Sequence, residues 1–177
     1  MMLAASWYMV VFRTVHILAG VAWVGSIFLF VVFVQPSVAA IAPAGAPFVA
    51  ELLGRRRLID RIIGLAVITI VAGGFLYWHD WQTYGSLGDW VSSSFGATIT
   101  VGLIASLVAL SIGVFGTRPN VLRLLAIGRQ VAESGGPPPP EVAAEVSAIQ
   151  GRLKVFSRAS FALLVLAVIT MAIGRYV

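Results

Sequence analysis

The chain contains no cysteine. That excludes disulfides, thiolate metal sites, iron–sulfur clusters and haem attached covalently through a CxxCH motif. Charge is also scarce: Asp, Glu, Lys and Arg make up 11% of the 177 residues, where a soluble domain carries about 25%. Histidine occurs only twice, as His16 and His79. There is no P-loop, HExxH, nucleophile elbow or dinucleotide fingerprint, so nothing in the sequence points to hydrolase or kinase chemistry. The carboxylates Glu51 and Asp60 stand beside arginines, where ion pairing accounts for them.

What is abundant is apolar surface. The chain is 59% hydrophobic, with a mean hydropathy of +0.97. A single soluble core would have to bury nearly all of it, so the bilayer is the natural solvent. Four segments, Trp7–Val34, Leu58–Trp78, Phe95–Gly116 and Phe156–Tyr176, meet or exceed the ~20 residues needed to cross about 30 Å of hydrocarbon. The sequence predicts an all-α, polytopic integral membrane protein: a four-transmembrane-helix bundle forming one membrane domain over residues 1–177. The first segment is too long for a signal peptide, lacks a basic n-region, and has no small-x-small cleavage site after it.

The net charge of +5 sorts by topology. Arg55, Arg56, Arg57 and Arg61 flank the first connection; Arg118, Arg123, Arg129, Arg152, Lys154 and Arg158 belong to the third. The stretch His79–Ser94 has no Lys or Arg. By the positive-inside rule the basic side is cytoplasmic, which places both termini outside an inner or plasma membrane. Arg13 and Arg175 are the exceptions, both near the outer face.

Two connections carry further structure. The outer run Tyr77-Trp78-His79-Asp80-Trp81-Gln82-Thr83-Tyr84 reads as an interfacial aromatic belt, or alternatively as a lid or docking surface. In the inner connection, residues 117–155, Val121–Arg129 resembles a short amphipathic helix lying at the cytoplasmic interface. Ser134-Gly135-Gly136 and Pro137–Pro140 break it. A new helix is expected near Glu141 and has little to stop it before Tyr176, so the fourth helix reads as one rod.

The chemistry-bearing residue is His16. An ionisable group inside a membrane span is expected to be paired, ligated or facing a polar cavity. His16, Gly20, Trp23 and Ile27 share one helical face, and Ala19, Ala22, Gly25 and Ser26 let a neighbour or a flat cofactor approach closely. His16 lies about 13 Å from the outer boundary at 1.5 Å per residue. A haem with iron at His16 and propionates directed outward would find charge partners in Arg13 and Arg175. The alternative is structural: His16 hydrogen-bonds a carbonyl, or one of Thr69, Thr98, Thr100, Ser106, Ser160 and Thr170, on a neighbouring helix. Proton or ion handling is a further reading. His79 is too far toward the interface to face the same iron. A copper site built from Met9, His16 and Met171 is a weaker alternative.

The run His16-Ile17-Leu18-Ala19-Gly20-Val21-Ala22-Trp23-Val24-Gly25 resembles the first-helix signature of the copper-resistance D (CopD) type membrane proteins. Related signatures occur in HemJ-type protoporphyrinogen oxidases and in the membrane domain of a urate oxidase. Arg55-Arg56-Arg57-Leu58, leading to Gly73-Gly74, and the closing Met171-Ala172-Ile173-Gly174-Arg175-Tyr176 are also similar to that group. The resemblance implies a four-helix fold and haem b ligated through the first-helix histidine. HemJ-type proteins also depend on a lysine in the third helix; here Gly96–Gly116 has neither lysine nor histidine. The resemblance therefore implies a haem-binding fold without delivering an enzyme. The leading expectation is a haem b-binding protein with a redox or electron-transfer role near the outer leaflet. His16 is its metal ligand, and Arg13, Gly20, Trp23 and Arg175 complete its cofactor site. Its partners are the lipid bilayer and a lipophilic molecule such as quinone, a larger membrane complex or further copies of itself, not nucleic acid. A cofactor-free accessory subunit of a larger membrane complex and a copper transport or resistance protein are the competing expectations.

Overall fold

The computed structural model describes residues 2–42 and 44–176. Among them the chain is helical and contains no strand. Four helices are long and apolar enough to cross a membrane: α1 (Trp7–Ala40), α3 (Leu58–Gln82), α5 (Ser94–Ser134) and α6 (Pro140–Tyr176). Two short helices join them, α2 (residues 46–55) and α4 (Leu87–Ser92). The protein is thus an integral membrane four-helix bundle. Large apolar side chains such as Leu18, Val21, Val71, Ile104, Phe115 and Val168 remain on its outside, where lipid covers them.

The chain marks its own helix boundaries. Arg57 adopts a left-handed conformation (φ 50°) immediately before α3 and so separates it from α2. Ser86 caps α4 by accepting from the Asp89 amide at 3.1 Å, and Ser93 caps α5 by accepting from the Gly96 amide at 3.0 Å. Gly135, at φ 66°, ends α5. Pro140 then opens α6 at a first-turn position, where a missing amide proton costs nothing.

The helices associate as two close pairs, α1 with α3 and α5 with α6. The α5–α6 seam is built on glycine: Gly102 lies under Thr170 and Met171, Gly116 under Phe156, and Gly174 under Phe95. Without a hydrophobic drive between helices in lipid, this close approach is what supplies packing energy. The pairs meet at a small central cluster of Trp23, Ile62, Ala66, Ala109 and Leu164, with all four long helices contributing. One face of the bundle carries the termini and α4; the other carries most of the arginines. On this basic face Asp60 accepts from Arg57 at 2.9 Å and from Arg118 at 2.8 Å, tying α3 to α5.

The third connection differs from expectation. No separate helix lies along the interface. After a π-helical turn at Ile112–Thr117, α5 simply continues through Arg118–Ser134. Val121 and Ile127 are buried, as is Ile149 of α6, and this part of α5 packs on both α6 and α2. Arg123 grips Glu145 through two hydrogen bonds of 2.7 and 3.0 Å across this helical hairpin. The guanidinium holds the Glu145 carboxyl below its ordinary range. The fourth helix is a single rod, as the sequence predicts.

The aromatic run, expected as an outer connection, lies mostly in the last turns of α3, which runs on to Gln82, and it divides. Trp78 points outward as an interfacial residue does. Tyr77 turns inward, its hydroxyl 2.9 Å from the Thr100 hydroxyl. Thr100 spends its own proton on the Gly96 carbonyl at 2.6 Å, so Tyr77 is the donor. Trp90, outside that run, is the fully buried anchor of this face, with the rings of Tyr77, Tyr84 and Phe95 set nearly perpendicular to it.

Candidate functional site

His16 reaches from α1 to the backbone of α3. Its Nδ1 lies 2.8 Å from the Thr69 carbonyl oxygen. In an α-helix that carbonyl already accepts from the amide four residues on, Gly73, and the side chain of residue 73 would lean back over it. With no side chain there, the second lone pair of the Thr69 oxygen is open to an outside donor. The imidazole fills the vacated space: a Cβ on Gly73 would stand 2.7 Å from His16 Cε1 and 2.8 Å from Nδ1. The Thr69 hydroxyl is not involved, since it donates to the Leu65 carbonyl at 2.8 Å within its own helix.

A carbonyl only accepts, so Nδ1 carries the proton in this bond. In the neutral ring Nε2 then keeps its lone pair, and it has no hydrogen-bond partner among the described residues. The arrangement is a histidine oriented through one nitrogen with the other left over as a donor of electrons, the form in which imidazole binds a metal.

The other residues singled out by sequence divide between the stripe below His16 and the exposed surface. Gly20 faces the same helix, 3.5 Å from the Thr69 methyl if given a Cβ, which is ordinary contact and does not demand glycine. Trp23 is buried in the central cluster. Arg13 and Arg175 are both exposed, and neither meets a carboxylate among the described residues. His79 packs edge-on against Tyr8, ring centroids 6.1 Å apart, and approaches the Asp80 carboxylate at 3.4 Å. Tyr8 is eight residues before His16, about 12 Å along the helix, so the two histidines do not converge. Met171 packs over Gly102, and the described residues contain no group of three His, Cys, Asp or Glu side chains placed to hold a metal ion.

Comparison with models of protein families, with curated proteins and with solved structures gives no match. The site therefore has to be read from its own chemistry.

A second feature had no counterpart in the sequence reading. A cavity of about 1030 Å³ opens in the basic half of the bundle, between the two helix pairs. Trp23 and Ala66 line its inner end, and Ile63, Leu110 and Gly113 form part of its walls. Gln35, Lys154, Ser157 and Arg158 supply polar lining. His16 is not among its lining residues.

Proposed function

We propose that this chain is a membrane haem b protein in which His16 would hold the iron, with a redox or electron-transfer role near the outer leaflet. The observation that supports this reading is the Nδ1–Thr69 carbonyl bond, which turns the ring and sets the tautomer that leaves Nε2 for a metal. Of the residues at this place, His16 has the donor chemistry that would hold such a group, and among the described residues no second histidine accompanies it. Haem b supplies one-electron chemistry and, when held by a single protein ligand, an open coordination position.

The chain's own residues would then have distinct tasks. Thr69 and Gly73 hold the imidazole, the first through its carbonyl and the second through its missing side chain. Trp23 closes the bundle beneath it. Arg13 and Arg175, both without a carboxylate partner among the described residues, are the cations available to propionates. The imbalance of basic residues supports an orientation with both termini outside and the arginine-rich face in the cytoplasm. A site within the outer half of the bilayer suits a lipophilic electron partner, and we assign quinone-type molecules as the class.

The test is an absorption spectrum of detergent-purified protein from a host with ample haem. A Soret band that is lost in His16→Ala is expected. A colourless wild-type preparation, or a band of equal strength in His16→Ala, overturns the reading.

A further inference from the structure

Among the described residues three helical segments wind as π-helix: Phe30–Val34, Ala50–Arg55 and Ile112–Thr117. All three contribute to the wall of the large cavity, through Val31, Leu53 and Gly113 among others. Such turns are rare and gather at functional sites, because the extra residue widens the helix and swings its faces out of register. Here they spread the ends of the helices around one space, and its volume falls at the upper end of the ~300–1,000 Å³ range of ligand sites.

The lining of that space is asymmetric. Most of it is apolar, but Lys154 and Arg158, one turn apart on α6, stand together with a hydrogen-bonded pair, Gln35 and Ser157 (3.1 Å). No carboxylate lines the cavity among the described residues. The nearby acids are already engaged: Glu51 with Arg55 and Arg56, Asp60 with Arg57 and Arg118, and Glu145 with Arg123. Lys154 and Arg158 meet no carboxylate among the described residues. Two uncompensated cations at the rim of an apolar space, level with the start of the fourth apolar segment, complement a molecule with an anionic head and apolar chains.

We propose that this cavity is a binding site for an anionic phospholipid, its phosphate held by Lys154 and Arg158 and its acyl chains between the helix pairs. Basic pockets between transmembrane helices select such headgroups. The site is separate from His16, and it stands or falls independently of any haem.

The experiment is native mass spectrometry of the purified full-length protein, titrated with phosphatidylglycerol, phosphatidylcholine of the same chains, or oleate. Phosphatidylglycerol is expected to bind about tenfold or more tighter than phosphatidylcholine, whose quaternary ammonium offsets its phosphate charge beside the two cations. K154Q/R158Q should bring the two lipids within about twofold of each other, whereas R55Q/R56Q, whose side chains lie outside the cavity, should leave the preference intact. Gly113→Trp, which fills the wall, should lower occupancy by both lipids. Equal wild-type binding of the two lipids overturns the proposal. So does a preference that survives K154Q/R158Q, or one that is lost equally in R55Q/R56Q. Oleate binding as tightly as phosphatidylglycerol overturns the phospholipid assignment.

Discussion

Substituting Gly73 by alanine isolates the contact on which the His16 site depends. The new Cβ would lie 2.7 and 2.8 Å from two atoms of the imidazole, closer than carbon contacts tolerate. The ring has to leave, and its bond to the Thr69 carbonyl goes with it. Overpacking of this kind costs about 1–3 kcal/mol, and a lost hydrogen bond adds about 1 kcal/mol. Against these stands the intrinsic helical advantage of alanine over glycine, about 1 kcal/mol. The net expectation is destabilisation of about 1–3 kcal/mol in the wild-type background. In His16→Ala the obstruction is gone and only the helical advantage remains, so the same change should stabilise by up to about 1 kcal/mol. The coupling between positions 16 and 73 is then about 2–4 kcal/mol. Reversible denaturant titration of the four proteins of this cycle in mixed micelles measures it. A coupling below about 0.5 kcal/mol, the ordinary scatter for sites that do not interact, would refute the account of Gly73 as the histidine's seat. If haem is bound, Gly73→Ala should also weaken or shift the Soret band without removing the ligand residue.

Two other outcomes follow from contacts elsewhere. A Cβ at Gly96 would fall 1.9 Å from the Trp90 carbonyl oxygen, a backbone atom that cannot swing aside; Gly96→Ala should therefore cost about 3 kcal/mol or more and show as a large loss of thermal stability in detergent. The Arg123–Glu145 pair sets an acid dependence. Because the Glu145 carboxyl is held below its ordinary value of 4.5, its contribution is fully present above that value and is lost as the pH falls through the lowered one. Glu145→Gln should flatten the acid limb of a stability–pH profile and leave its alkaline side unchanged in shape.

Much of this architecture is legible from the sequence because a bilayer admits so few solutions. Long apolar runs separated by Arg55-Arg56-Arg57, by the loop before Ser93 and by Pro137–Pro140 leave four spans as the simplest arrangement. The residues past Gly116 show where such reading stops. Val121–Arg129 has the stripe of a surface helix, but a stripe records only that one side is covered. Lipid and a neighbouring helix leave the same mark, and here α6 and α2, distant in sequence, pack on it. The π-turns carry no sequence signature, so the cavity they border is not foreseeable either. His16 is conspicuous because its cost in hydrocarbon is conspicuous. Its partner is harder to see. Thr69 draws attention for its hydroxyl, yet the acceptor is its carbonyl, made available by an absent side chain one turn on. A backbone acceptor has no residue type to announce it; the Gly73-Gly74 pair was the only trace.

The continuation of α5 beyond its π-helical turn, with α6 running back beside it, gives the molecule a mechanical asymmetry. Residues 118–134 extend α5 by about 25 Å at 1.5 Å per residue, and α6 returns alongside without a break. The proline-rich tip is therefore the far end of a stiff lever whose two arms are themselves transmembrane helices. A push or a twist applied there passes directly into one helix pair, because no loop intervenes to absorb it. The other pair, α1 and α3, is joined to this arm by the Arg118–Asp60 bond and by α2, where Gly54 faces Leu125. The seam between the pairs is also where the cavity lies, so the hairpin and the cavity share the same walls at Val121 and Leu153.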